Sequence, residues 1–212
     1  MARTALAIQE RLALCDLIEE LGPDASTLCE GWTTLDLLAH LAVRERDLIG
    51  APGILVSGAV ARLTDRAMDR YRAKGFHWLV DVIRTGPPIG PWRLPVLSDR
   101  INLHEFYVHH EDVRRANGAS PRPENEELDR ALWMVLRFNA RILARRVGSI
   151  GVELTWPGHG SITAHNGSPT VSLVGRPSEL ALFVNGRPAV ADVEIDGPPD
   201  AVETLASARL GF

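Results

Sequence analysis

Residues His104 to Ala116 read HEFYVHHEDVRRA, three histidines and three carboxylates within about three turns of helix. Imidazoles and carboxylates are the side chains that ligate divalent cations and move protons near neutrality. At about 100° per residue, Glu105, His109 and Asp112 fall in the most apolar arc of such a helix, with Ile101, Val113 and Phe106. His104, His110 and Glu111 fall on the opposite, mixed side with Arg114 and Arg115, the side expected to be more exposed. A carboxylate aimed into apolar surroundings is costly unless it is paired or bound to a metal. Glu105 and His109 stand at i and i+4, so their tips reach one point on one face. That geometry serves two ligands of a divalent cation, and equally a hydrogen-bonded core pair. His40, in LDLLAHLAV, would add a third ligand from a second helix, and is otherwise a partly buried histidine. Three protein ligands leave a position open for water or substrate, which is the catalytic pattern. Asp36 or Asp112 is then placed to hold a ligand imidazole from behind.

The elements that must position these residues are mostly helices. Apolar spacing predicts helices over 4–21, 34–49, 57–74, 76–85, 97–117 and 123–147. Thr33 and Asp36 have the form of a capping box, and Trp32 with Leu37 that of a hydrophobic staple. Gly50–Gly53 breaks the second helix, and TGPPIGPW separates the fourth from the fifth. After Gly148 the character changes to short β-branched runs, VELTW, SITAH and TVSLV. Asn166-Gly167 between the second and third runs is a hairpin signal. A short helix over 178–185, a strand in ADVEI and a helix from Pro199 to about Arg209 complete the chain. The expected fold is α+β: a helical bundle of the up-down four-helix type over 1–148 and a small α+β domain over 149–212.

The 212 residues carry a formal charge of -4. A weakly acidic chain with arginines interspersed among acids argues against nucleic acid and anionic membrane as partners. No apolar run is long enough to span a bilayer and no signal-peptide core is present, so a cytoplasmic location is expected. Cys15 and Cys29 read as structural thiols in helical, apolar surroundings. Trp32, Trp78, Trp92 and Trp133 read as packing residues, and His159 and His165 as exposed.

EGWTTLDLLAHLA and HEFYVHHEDV together resemble the two metal motifs of the DinB-like superfamily, in particular its mycothiol-dependent maleylpyruvate isomerase branch. VGRPSELALFVNGRPAVADVEIDG resembles the small C-terminal domain of that branch, through Gly175, Pro177, Glu179 and Leu180 and then Gly186-Arg187. Within that branch the sequence resembles an actinobacterial set of predicted metal-binding proteins with no agreed reaction. The resemblance implies His40, Glu105 and His109 as ligands of a divalent metal, usually zinc, with mycothiol as a possible cofactor. It also implies that an arginine near Arg187 reaches the active site. A guanidinium there would clamp a substrate carboxylate with two parallel hydrogen bonds. The plainer reading of Arg187 is a cap on the C-terminus of the 178–185 helix.

The leading expectation is a metal-dependent enzyme using a small thiol for isomerisation or S-transfer on a small electrophilic or carboxylate substrate. An open metal position lowers the pKa of a bound thiol, so that the nucleophilic thiolate exists at neutral pH. The same ligands also suit a metal-dependent hydrolase, with Asp36, Asp112 or His110 as general base. They suit a non-catalytic metal or small-molecule-binding protein as well.

Overall fold

The computed structural model describes residues 5–47, 61–87, 102–208 and 210–211. The expected break at Gly50–Gly53, the ends of three predicted helices (48–49, 57–60 and 97–101) and Trp92 lie outside them. The chain divides into two compact units, Met1–Ser120 and Pro121–Phe212.

The first unit is helical: α1 (Leu6–Leu21), α2 (Thr34–Arg46), α3 (Ala61–Arg72), α4 (Phe76–Thr85) and α5 (Leu103–Ala116). The capping box opens α2 as expected. Thr33 N donates to Asp36 Oδ2 at 2.8 Å, and the Thr33 hydroxyl donates to the same oxygen at 2.9 Å. Gly22 and Gly86, both at positive φ, follow the last residues of α1 and α4, a conformation that costs glycine nothing. Helix α1 packs on α5 and α4, and α2 on α3 and α4. Leu14, Ile18, Leu37, Leu41, Leu79, Ile83, Phe106 and Val113 are all fully buried in one apolar cluster.

A charge crosses this core. Arg11, 7% exposed, pairs with Glu45, 4% exposed, through its two terminal guanidinium nitrogens. Its Nη1 also donates to the Ile83 carbonyl at 2.7 Å, and its guanidinium lies 4.1 Å from the Phe106 ring centre. One side chain of α1 therefore touches α2, α4 and α5.

The second unit opens with α6 (Glu126–Leu143), followed by β1 (Gly151–Trp156), β2 (Gly160–His165), β3 (Thr170–Val174), α7 (Pro177–Val184), β4 (Glu194–Asp196) and α8 (Pro199–Ser207). Sheet order is β2-β1-β3-β4. β1 pairs antiparallel with β2 and parallel with β3, and β3 pairs antiparallel with β4. The hairpin is thus β1–β2, turning at Pro157–His159. Asn166-Gly167 is not a hairpin turn, because β3 crosses to the far edge of β1. Gly167 is required there for another reason: a Cβ would overlap the Ser149 carbonyl oxygen and the Ile150 backbone.

Helix α6 packs on β2 and α7. The Asp129 carboxylate, 4% exposed, accepts the Ser178 amide at 3.0 Å and so satisfies the N-terminus of α7. By sequence character, α6 belongs with the preceding helices and the boundary falls near 148. By packing it belongs with the sheet, and the division falls after Ser120. Trp133 is buried, 5.9 Å from Trp156 ring to ring, whereas Trp78 is 40% exposed and stacks on Tyr71. His159 is exposed and stacks on Trp156. His165 is half-buried and bonds the Ile150 carbonyl at 2.8 Å. No helix among the described residues is long and apolar enough to cross a membrane.

Removing one partner of a buried ion pair strands the other, at roughly 3–5 kcal/mol. Arg11→Ala is expected to lower stability by about that amount, whereas the double variant Arg11→Met/Glu45→Met recovers most of it. Urea denaturation of the two variants checks this, and equal losses in both would contradict it.

Candidate metal centre

Helices α2 and α5 bring His40, Glu105 and His109 together, with one ligand atom from each within 4.8 Å of the others. Glu105 Oε1 lies 3.3 Å from His40 Nε2 and 3.3 Å from His109 Nε2. The imidazole rings stand edge to face, 5.3 Å apart, and Trp32 lies 5.1 Å from His40. This is the trio that the i, i+4 geometry and the second-helix histidine pointed to. The donor set fits a divalent cation: two imidazole nitrogens and one carboxylate oxygen converging from two helices.

His109 and Glu105 are each held from behind. His109 Nδ1 is 2.9 Å from Asp112 Oδ2, which leaves Nε2 facing Glu105. Burial works against an imidazolium at His109, but bonds to Asp112, Cys29 and Glu105 outweigh it and raise its pKa well above the usual histidine value. Burial lowers the pKa of His40, partly offset by Glu105, and so favours the neutral ring that ligates metals. Burial alone would raise Glu105. The Arg44 guanidinium and the two imidazoles hold it well below the usual carboxylate range.

Two residues missed in the sequence belong to this cluster. Cys29 is not in a helix. It lies in the loop between α1 and α2, half-buried, with Sγ 3.3 Å from Asp112 Oδ2. The Leu28 amide donates to the Asp112 carbonyl at 3.2 Å and draws that loop onto α5. Cys29, His109 and Asp112 form a second convergent donor group. Nothing adjacent in sequence signals this, because the contact spans the unit. Arg44 was legible: it stands at i+4 from His40, on the same face of α2, and its Nε lies 3.4 Å from Glu105 Oε1. Cys15 is a structural thiol as expected, fully buried, its pKa pushed up to about 12 by burial.

Other expectations change. His104 and His110 are not on an exposed side: they are 7% and 8% exposed, and Glu111 is fully buried. His110 Nδ1 lies 2.9 Å from Glu10 Oε2 of α1, and Glu111 pairs with Arg114 and Arg115. A helical wheel ranks faces by polarity, but α5 lies deep enough to bury both, with its charges paired. Asp36 does not hold an imidazole. Its oxygens are taken by Thr33 and by Arg72 Nε at 2.6 Å. In the second unit, the Arg187 amide donates to the Leu182 carbonyl at 3.0 Å and its guanidinium to the Asn185 carbonyl, the contacts of a helix C-cap. The rest of its motif is also structural: Pro177 starts α7, and Glu179, 1% exposed, accepts the Asp192 amide at 3.0 Å.

The first unit sets a His-Glu-His cluster on two of its helices, and the chain as a whole has an α+β fold. Residues 4–94 match the family described as mycothiol maleylpyruvate isomerase N-terminal domain. A solved structure, that of the mycothiol-dependent maleylpyruvate isomerase, superposes with a TM-score of 0.58 at 18% identity, covering 90% of each chain. No curated protein matches the chain in sequence. The family match thus covers the N-terminal part of the chain, and the likeness to the solved isomerase is one of fold.

With the Asp112 carboxylate removed, burial acts on His109 less opposed. Asp112→Asn is therefore expected to lower the His109 pKa in metal-free protein. NMR titration of the imidazole reads this directly, and an unchanged value would mean that Glu105 alone sustains the shift.

Proposed function

We propose that this chain is a metal-dependent enzyme that uses a small thiol such as mycothiol for isomerisation or S-transfer. His40, Glu105 and His109 would hold one divalent cation, most readily zinc. The observation that carries the reading is the convergence of their ligand atoms within 4.8 Å from two helices. Nickel, iron or manganese would also accept such a set, so the metal is named from the family resemblance.

When bound, a cation with an open position favours the thiolate form of a thiol sulfur placed there. The chain's own residues prepare the position. Asp112 fixes the His109 ring so that Nε2 faces inward, and Cys29 bonds to Asp112 in turn. Trp32 packs beside His40 and lies half-buried against the apolar core. The hydrolase reading is less favoured, because each general base considered for it is engaged. Asp36 caps α2, Asp112 bonds His109, and His110 is buried against Glu10. The carboxylate clamp at Arg187 is part of the proposal on the strength of the resemblance alone. Its contacts within the second unit account for a cap.

Purified protein is expected to contain one divalent cation per chain by elemental analysis. His40→Ala and His109→Ala should lose it with helicity retained, and Asp112→Asn should bind it about 10–100-fold more weakly. His104→Ala and His110→Ala should keep it, although the second also leaves Glu10 without its imidazole. Mycothiol should raise the melting temperature of the metal-loaded protein. Stoichiometric metal in His40→Ala would end the ligand assignment, and turnover of activated esters without thiol would restore the hydrolase.

A further inference from the structure

Glu105 Oε1 faces three nitrogens. Two belong to His40 and His109, and the third is Arg44 Nε at 3.4 Å. Arg44 is also anchored at its other end: Nη1 donates to Asn102 Oδ1 at 3.0 Å, and Asn102 directly precedes α5. Arg44 and Asn102 are both buried. The guanidinium is thus tied at one end to a ligand carboxylate and at the other to the start of the helix that carries it. The Asn102 bond keeps it beside the cluster whatever else Glu105 binds.

A guanidinium stays charged at any working pH. Two neutral imidazoles, one carboxylate and a divalent cation sum to one positive charge, and Arg44 makes it two. A fixed buried cation beside a metal works against holding the metal, through repulsion in a medium of low dielectric. It works in favour of any anion that joins the metal in the open position. Glu105 is the most exposed member of the cluster, its side chain 24% exposed against 11% for His109, 9% for His40 and 8% for Arg44.

We propose that Arg44 makes this site select a small carboxylate anion at the position left open by His40, Glu105 and His109. The inference rests on the metal reading above, and deepens it by assigning the anion preference to the bundle itself. Arg44 is a positioning and charge-setting residue here, acting beside the metal rather than as a ligand.

The test uses the full chain loaded with zinc and two probes of one shape, maleate and its uncharged diamide, titrated calorimetrically. Wild type should bind maleate more tightly than the diamide. Arg44→Gln should weaken maleate by about tenfold, the scale of one lost charge-assisted interaction, and leave the diamide unchanged. Its zinc affinity, measured against a chelating dye, should be equal to or higher than that of wild type. Arg44→Lys should keep the charge but not the anchored fork, and weaken maleate by a smaller factor. Unchanged maleate binding in Arg44→Gln overturns the proposal. So does a fall in zinc affinity that accounts for the loss of maleate, since Arg44 would then only hold Glu105 in place. If Arg44→Gln does not fold, as judged by circular dichroism, Arg44→Lys decides alone, and maleate binding equal to wild type overturns the proposal. A wild-type chain that takes no zinc overturns the metal reading itself, and is recognised before any anion is added.

Discussion

A helix buried on both its polar and its apolar face must neutralise every charge that it carries. Helix α5 is under that constraint from Leu103 to Val113, and the rest of the first unit is arranged to meet it. Glu10 of α1 answers His110, and Arg114 and Arg115 answer Glu111 one turn back along the same helix. Asp112 answers His109, and Arg44 of α2 answers Glu105. Each pairing fixes a neighbouring element as well as a charge, because an ionised group in a low-dielectric interior tolerates little displacement of its partner.

The metal centre grows out of the same arrangement. His40, Glu105 and His109 are the place where charge on α5 meets α2 with Glu105 part-exposed, and a cation bound there, as proposed, would add to the neutralisation that Arg44 provides. Arg11 and Glu45 perform the structural counterpart deeper in the core, where a guanidinium held over Phe106 joins four helices. Both sites draw on one device, buried opposite charges held between helices.

Much of this was legible because helix geometry turns residue spacing into direction. The i, i+4 relation of Glu105 and His109, and the placement of His40 after the Thr33–Asp36 box, follow from 3.6 residues per turn and from capping chemistry. Arg44 could have been found by the same arithmetic applied to α2. Direction is not depth, however, and the wheel could not say that the His104–His110–Glu111 side is buried too. Cys29 was out of reach because a loop carries it back to α5, a contact with no local periodicity. In the second unit the β-branched runs showed where strands form but not which pair. Asn166-Gly167 looks like a turn residue pair, yet Gly167 is needed for its missing side chain against Ser149 and Ile150.

The Asp129 carboxylate that receives the Ser178 amide bears on how such chains can be divided and recombined. A graft that begins where the β-branched segments begin, near Gly148, would transfer the sheet without α6. The first turn of α7 would lose its acceptor, and β2 would be uncovered along the side where α6 lies. A graft beginning at Pro121 carries the cap, the cover and the sheet as one piece. The modular seam of this protein therefore lies one helix earlier than the change in residue character suggests.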